Sequence, residues 1–220
     1  MCANVVFVAK CNSIDSRIAS TSFPLVNSST GNEVNSIVLA NAFVRGEIVV
    51  SPASTEAGSM DIVFYGSEVG IFEKAHHIVH NQYSPVPLGS YHCSDTHRSK
   101  MEVELPVDQL RSLAITSNTS IVVNGSNILT FQGLSITTKL SSILCSDFKI
   151  QGDELHIETT SGDITIEGLT IDASNTQVAE SPAQVYSALG IVSLDGVILS
   201  QCDLQVETGA SSLTLSSIHG

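Results

Sequence analysis

The feature that most constrains this chain is a short pattern of alternating apolar and polar residues that returns every 21 positions. LAIT, LSIT and LHIE begin at Leu113, Leu134 and Leu155, and AQVY and LQVE begin 21 residues apart at Ala183 and Leu204. The step from Leu155 to Ala183 is 28, which keeps the register if seven residues are inserted in ASNTQVAESP. Alternation with a period of two predicts strands with one buried face.

Two further columns of alternating residues repeat with the same step. The second column begins at Ile143, Ile164, Val192 and Leu213, with Val122 as an earlier member. The third column is carried by segments that begin at Asn127, Phe148, Leu169, Val197 and Ile218. Three short strands per repeat predict an all-β fold, a three-sided parallel β-solenoid of 21-residue coils that stack about 4.8 Å apart. The preference for right-handed crossovers predicts a right-handed solenoid.

A β-sandwich is the alternative fold. A series of hairpins also accounts for alternating strands, but it does not account for a register that is kept along the chain. Glycine, asparagine and aspartate fall between the columns, at Ser161–Asp163, Asn124–Gly125 and Asp195–Gly196. These residue types accept the backbone conformations of tight turns, so we expect them at the corners of the coils.

The segment SPAQVYSALG carries both a strand signal and a helix signal. Ser181 suits the N-cap of a helix, Pro182 its first turn and Gly190 its end. AQVY in the same segment falls on the first column. We favour the strand, because it keeps the register between Leu155 and Leu204.

The segment MEVELPVDQLRSLAIT (residues 101–116), followed by alternating strands and by TTSGDITIEG, resembles a known family. It is similar to the adhesin-like domains described as auto-transporter adhesin head-like β-solenoids, a family of unknown function. The resemblance covers about residues 101–220 and includes one complete SGDI at Ser161–Ile164. It implies a β-solenoid, and it implies no catalytic residues because the family has no agreed ones.

Four strands are predicted upstream of the repeats, and they do not fall on the 21-residue register. They are IVLANAF, GEIVV, MDIVFYG and VGIF, at Ile37–Phe43, Gly46–Val50, Met60–Gly66 and Val69–Phe72. Either irregular coils or a small β-cap would accommodate them. We predict an N-terminal β-rich cap region over residues 1–100 and a β-solenoid domain over residues 101–220. Since an open solenoid end exposes strand edges, a homo-oligomer formed through that end is a further expectation.

The distribution of charge indicates which partners to expect. The chain has 22 acidic and nine basic residues, a net charge of −13, and residues 151–220 contain ten Asp or Glu and no Lys or Arg. Such a surface repels nucleic acid. One interpretation is a solvated acidic surface that keeps the protein soluble. The other is a surface for a protein partner with a basic surface, for which we select Glu158, Asp203 and Glu207 as exposed candidates.

The sequence also suggests a cellular location. It has no basic, apolar leader at its start and no run of eighteen apolar residues, so neither a signal peptide nor a membrane span is predicted. Five widely spaced cysteines without a CxxC pair favour reduced thiols. These patterns predict a cytoplasmic protein with no membrane partner.

Two sets of residues are candidates for metal binding. The first is a histidine-rich segment that could bind zinc or nickel through His76, His80, His92, Cys93 and His97. The alternative is a loop that is rich in histidine, since Pro85 and Pro87 exclude one helix across the segment. In the second set, Glu167 and Asp195 occupy the same position on adjacent coils. Two carboxylates on neighbouring strands would raise the pKa of one of the two groups or bind a cation such as Ca²⁺. The alternative is that both side chains point into water.

The sequence favours a protein that is not an enzyme. It has no tryptophan to stack on sugars, no GxSxG motif and no basic group among the last coils. Cys145 falls at an inward position, which suits a small core residue. We therefore predict a non-enzymatic scaffold or adaptor that presents a β-solenoid surface to a protein partner and needs no cofactor. The alternative is a carbohydrate-binding or metal-dependent carbohydrate-active β-helix protein.

Overall fold

The computed structural model of the 220-residue chain describes eleven segments. They are residues 6–8, 17–25, 36–41, 46–53, 59–66, 69–73, 82–83, 86–91, 99–107, 110–174 and 183–220. Every regular element in them is a strand. These segments accordingly contain no helix long and apolar enough to span a membrane.

Eighteen strands make up the described chain. Their bounds are β1 Val6–Val8, β2 Arg17–Pro24, β3 Ser36–Asn41, β4 Gly46–Pro52, β5 Ser59–Gly66, β6 Val69–Glu73, β7 Gln82–Tyr83, β8 Val86–Tyr91, β9 Ser99–Leu105, β10 Arg111–Ser117, β11 Ser120–Asn124, β12 Thr130–Thr138, β13 Ile143–Thr159, β14 Ile164–Asp172, β15 Ala183–Ser187, β16 Val192–Ser200, β17 Leu204–Thr208 and β18 Leu213–His219. The four strands expected upstream of the repeats are therefore present as β3 to β6. SPAQVYSALG contains strand β15, as favoured above, and the helix alternative was wrong for its described residues.

Fifteen of the strands form one large and mostly parallel sheet. In the first column, β10 pairs with β12, β12 with the end of β13, β13 with β15, and β15 with β17. Ile115 pairs with Ile136, Ile136 with Ile157, and Ile157 with Val185, as the aligned repeats indicate. The all-β prediction is confirmed, and a sheet of stacked parallel strands replaces the β-sandwich alternative.

The core of the stack is formed by residues that repeat at the inward positions. Ile115, Ile136, Ile157 and Val185 are all at most 1% exposed. In the third column the rings of Phe131 and Phe148 meet edge to face, with centroids 6.3 Å apart. Burial of one such aliphatic or aromatic side chain contributes about 1.5–3 kcal/mol. Because each coil is covered by its neighbours, this stabilisation is shared along the stack.

Two column assignments were wrong at the first repeat. Ile121, and not Val122, pairs with Ile143, because three residues separate Ser117 from Ile121 whereas four separate the paired residues Thr138 and Ile143. Thr130 pairs with Lys149, so Leu129 and not Asn127 leads the third column there. The turn after β11 contains additional residues, and Asn127 occupies the left-handed region of that turn with φ 62°.

Strands from the first hundred residues belong to the same stack. β3 pairs in parallel with β10, and β4 pairs in parallel with both β11 and β9. Of the two alternatives for the upstream strands, irregular coils and a small β-cap, the first therefore describes β3 and β4. β2, β5 and β9 pair antiparallel at the edge of the large sheet, and β1, β6 and β8 form a separate antiparallel sheet. The division of the chain at residue 100 stays a prediction.

Hydroxyl side chains close the corner between the first and second columns. The Thr159 hydroxyl accepts a hydrogen bond from the Gly162 N–H at 3.0 Å. The same arrangement recurs one coil later, where the Ser187 hydroxyl accepts from the Gly190 N–H at 2.8 Å. A Cβ at Gly162 would overlap the carbonyl oxygen of Ser141 in the preceding coil. The glycine of SGDI is therefore required by the close approach of two backbones.

Candidate functional site

A groove of about 290 Å³ lies on the outward side of the first column. It is formed by the last part of β13 together with β15 and β17. The residues that line it are His156, Glu158, Gln184, Val185, Tyr186, Gln205 and Glu207.

Strand alternation explains why the side chains of the lining residues other than Val185 face the groove. Since Ile157, Val185 and Val206 point into the stack, the residues on either side of each point outward. Parallel pairing then sets His156, Gln184 and Gln205 side by side in one row of the groove. It sets Glu158, Tyr186 and Glu207 side by side in a second row.

The second row is a tyrosine between two carboxylates. Tyr186 is the direct pairing partner of Glu158 on one side and of Glu207 on the other. Neighbouring strands lie about 4.8 Å apart, so the backbones of the two glutamates are about 10 Å apart. An aromatic ring flanked by negative charge on both sides is suited to a flat cationic group.

The first row orients the two carboxylates. The His156 Nε2 atom lies 3.2 Å from Oε2 of Glu158, and both side chains are about 40% exposed. Gln205 donates from Nε2 to Oε1 of Glu207 at 2.6 Å. Each contact uses one carboxylate oxygen and leaves the second oxygen of the same group to accept from a ligand. The groove is therefore partly ordered before any ligand binds.

The structure brings together two of the three residues selected for partner binding. Glu158 and Glu207 line the groove, whereas Asp203 is exposed at the residue before β17. The Asp203 carbonyl accepts from the Ala183 N–H at 2.9 Å, which makes this residue part of the backbone stack. Partner binding by all three residues stays a prediction.

Sequence reasoning selected the two glutamates of the groove but not its four other outward-facing residues. They are His156, Gln184, Tyr186 and Gln205. The signal was present in the repeats, because the outward positions of the first column align in the same way as the inward ones.

Glu167 and Asp195 are neighbours, as the second column indicates. β14 pairs with β16 so that Glu167 lies opposite Asp195. Ser216 donates to Oδ1 of Asp195 at 2.7 Å. Hydrogen bonds from Ser216 and Ser217 hold the pKa of the Asp195 carboxyl below its usual range. The rise in pKa that a close pair of carboxylates would give one of its members is therefore not found at Asp195.

Metal binding by either candidate set stays a prediction. Glu167 and Asp195 have no third potential ligand near them, since the described segments contain no group of three or more His, Cys, Asp or Glu side chains arranged to hold an ion. The other candidates, His76, His80, His92, Cys93 and His97, lie outside the described residues.

Cys145 is an inward core residue, as predicted. Its side chain is 0% exposed, and burial raises the pKa of its thiol to about 12. A thiol in that state is not a nucleophile at neutral pH.

The last coil presents apolar side chains to solvent in this chain. Among the strands that the structure describes, β17 and β18 each have a pairing partner on one side, β15 and β16 respectively. At the inward positions of β18, Leu213, Leu215 and Ile218 are 43%, 52% and 39% exposed. The predicted contact between solenoid ends would use this surface.

The stacked strands and the open groove define an all-β protein of the solenoid type, with a surface suited to binding. Residues 76–220 match the family model described as Toastrack DUF4097. This match covers more than half of the chain, which therefore belongs to the Toastrack DUF4097 family. The resemblance to adhesin-like β-solenoids noted in the sequence is therefore confirmed for a solenoid-like family of unknown function. It is not shown for auto-transporter adhesins in particular.

Comparisons beyond the family model show little. No curated protein sequence matches the chain. One solved structure that matches is described as a proposed cell adhesion protein from Clostridium sporogenes ATCC 15579. The match covers 100% of both chains at 10% sequence identity, with a TM-score of 0.48.

Proposed function

We propose that this chain is a non-enzymatic scaffold or adaptor that binds a basic segment of a protein partner in the groove. One observation carries the proposal: Tyr186 lies between Glu158 and Glu207 in a part of the chain, residues 151–220, that contains no Lys or Arg. Opposite charges about 4 Å apart near a protein surface attract by about 4 kcal/mol before desolvation is counted. The surrounding acidic residues would also steer a cationic partner towards the groove.

The chemistry of the described residues supports a role in binding over one in catalysis. The Cys145 thiol is buried, whereas the Glu158 side chain is half-buried and the Glu207 side chain is exposed at the two sides of a tyrosine. A two-carboxylate glycosidase needs one acid whose pKa is raised by a dry pocket. The open groove does not supply such a pocket.

The finer features of the fold are part of the proposal. We take the stack to be a right-handed, three-sided solenoid of 21-residue coils, with 28 residues in the coil that joins Leu155 to Ala183. Such a rod presents long parallel faces, and rigid faces bind with little loss of backbone entropy. We place the protein in the cytoplasm, which suits the unpaired thiols of Cys145 and Cys202 in the described part of the chain.

The test uses a fluorescent ten-residue peptide of alternating Arg and Lys. We expect the 220-residue protein to bind it at low salt, and to release most of it at about 0.5 M salt because the Debye length falls to about 4 Å. Exchange of both groove carboxylates, in Glu158→Lys with Glu207→Lys, should abolish binding. Fluorescence anisotropy gives the affinity.

The matched control reverses the same number of charges outside the groove, in Glu167→Lys with Asp195→Lys. Equal loss of binding in both double variants would show that net charge and not the groove holds the peptide. Absence of binding to the unaltered protein at low salt would contradict the proposed function.

Carbohydrate binding is the second candidate, and the composition of the groove favours it. Gln184 and Gln205 offer amide groups beside the Tyr186 ring, and planar polar groups with an aromatic ring suit a sugar. Binding of a neutral oligosaccharide would be insensitive to salt. Titration of the protein with neutral oligosaccharides at about 0.5 M salt, where the Debye length is only about 4 Å, separates the two candidates.

A further inference from the structure

We infer that the groove selects arginine, by stacking its guanidinium group on Tyr186 between the carboxylates of Glu158 and Glu207. This inference rests on the proposed function and deepens it, because it names the side chain that the basic partner must supply. The occupant is an arginine in an exposed, extended segment of another protein.

The arrangement of the row matches the shape of a guanidinium group. This group is planar, carries its charge over three nitrogens and presents five N–H donors around its edge. When it stacks on a phenol ring, its donors point outward in the plane. Because Tyr186 pairs with Glu158 on one neighbouring strand and with Glu207 on the other, a carboxylate lies on each side of the position where the guanidinium would stack.

Lysine fits the same row less well. Its ammonium group is a compact, strongly hydrated charge without a flat face. It can approach one carboxylate at a time, because the two glutamate backbones are about 10 Å apart across two strand spacings. Arginine can donate to both sides while it covers the ring between them.

Contacts in the adjoining row prepare the carboxylates for this ligand. His156 lies against Oε2 of Glu158, and Gln205 holds Oε1 of Glu207. One oxygen on each glutamate is left to accept from the guanidinium. Fixing acceptors in advance lowers the entropic cost of binding.

The coils of the first column supply a conservative variant for the test. At the position of Tyr186, the earlier coils have Thr116 and Thr137. Tyr186→Thr therefore places in β15 a residue type that occurs at the equivalent position of two earlier coils. It removes the ring and retains a residue type with a high strand propensity.

The experiment compares three short peptides that differ at one side chain. Acetylated Gly-Gly-Arg-Gly-Gly amide, its lysine counterpart and its citrulline counterpart are titrated into ¹⁵N-labelled protein. Citrulline keeps the flat shape of arginine without the charge. The shifts of the backbone amides of Tyr186 and Gln205 report occupancy of the groove.

We expect the arginine peptide to bind at least about fivefold more tightly than the lysine peptide, and the citrulline peptide to bind weakly or not at all. Tyr186→Thr, Glu158→Gln and Glu207→Gln should each weaken the arginine peptide by about fivefold or more. Glu167→Gln removes one charge outside the groove and should leave the affinity unchanged. Circular dichroism and thermal unfolding establish that each variant is folded.

Each contrary result has a distinct meaning. Equal affinity for arginine and lysine peptides, unchanged in Tyr186→Thr, would overturn the inference and leave the proposed function standing. Failure of both basic peptides together with binding of a neutral oligosaccharide would overturn both. Tight binding of the citrulline peptide would overturn the requirement for a positive charge.

Discussion

The Ser187 hydroxyl joins two coils of the stack by donating a 3.0 Å hydrogen bond to the carbonyl oxygen of Gly162. The same hydroxyl accepts from the Gly190 N–H at the turn that follows β15. Ser187 is 0% exposed, so water cannot replace either bond. A single side chain therefore satisfies backbone groups of two successive corners.

We expect Ser187→Ala to lower the free energy of unfolding by about 1–3 kcal/mol, because it leaves a buried N–H and a buried carbonyl without this partner. Urea unfolding followed by circular dichroism measures the change. Ser212→Ala, at an exposed position of the next corner, is the control and should change stability by less than about 0.5 kcal/mol. Equal stability of the two variants would contradict the role of the Ser187 hydroxyl.

Gly162→Ala should destabilise the stack by about 1–3 kcal/mol or prevent folding, because the added methyl group overlaps the backbone carbonyl of Ser141. Thermal unfolding of the two proteins measures this effect. Gly220→Ala places the same methyl group where nothing lies within 4 Å, and should have no effect. A Gly162→Ala protein with unchanged stability would mean that the coils can separate at this corner without cost.

Cys145 should resist alkylation in the folded protein. Burial raises the pKa of its thiol from 9.0 to about 12, so very little thiolate forms at pH 8, whereas the partly exposed Cys202 should react faster. Mass spectrometry of peptides after brief iodoacetamide treatment distinguishes the two sites. Fast labelling of Cys145 without denaturant would contradict its burial.

The same shift has a consequence for stability in alkali. Because the unfolded thiol ionises at lower pH than the folded one, the stability that Cys145 contributes is fully present below pH 9.0 and is lost as the pH rises towards 12. Cys145→Ala should remove this part of the pH dependence. Urea unfolding at pH 8 and pH 10, with Cys202→Ala as the control, measures the difference.

Ser216→Ala should raise the pKa of the Asp195 carboxyl towards its ordinary value, because the serine donates the hydrogen bond that chiefly lowers it. The lowered pKa means that the stability from this contact is present at neutral pH and is lost as the pH falls through the folded pKa. NMR titration of the Asp195 side chain measures the shift. Ser193→Ala, on the outward side of β16 together with Asp195, is the control. An unaltered Asp195 titration in Ser216→Ala would contradict the role of the Ser216 hydrogen bond.

Self-association of the 220-residue chain, if it uses the last coil, should depend on Leu215. This side chain is 52% exposed at an inward position of β18. Leu215→Lys places a charge in any contact between solenoid ends and should shift the protein towards the monomer in sedimentation equilibrium. Thr214→Lys adds the same charge at the outward position next to it and should have little effect. An oligomer that persists in Leu215→Lys would require another interface.

Strand alternation and the fixed step between repeats were sufficient to predict the first column. Ile115, Ile136 and Ile157 are buried one above another because a parallel stack buries like positions on like positions. The same alignment predicted that Glu167 would lie beside Asp195. These relationships follow from local pattern and repeat length alone.

The lengths of the turns could not be predicted in the same way. Corners change length without any change in the alternation of the strands, so Val122 and Asn127 were assigned to the wrong positions. The pairing of Ile37 with Leu113 was also beyond the sequence, because the two residues are far apart along the chain and outside the 21-residue register.

The sequence by itself determined that the chain forms stacked strands, which side of each strand is buried, and that its last seventy residues are acidic without basic residues. The tertiary structure decided which outward side chains become neighbours. Tyr186 meets Glu158 across the 28-residue step and Glu207 across the next one of 21. Those contacts depend on how the intervening turns return the chain to the first column, and it is this return that creates the groove.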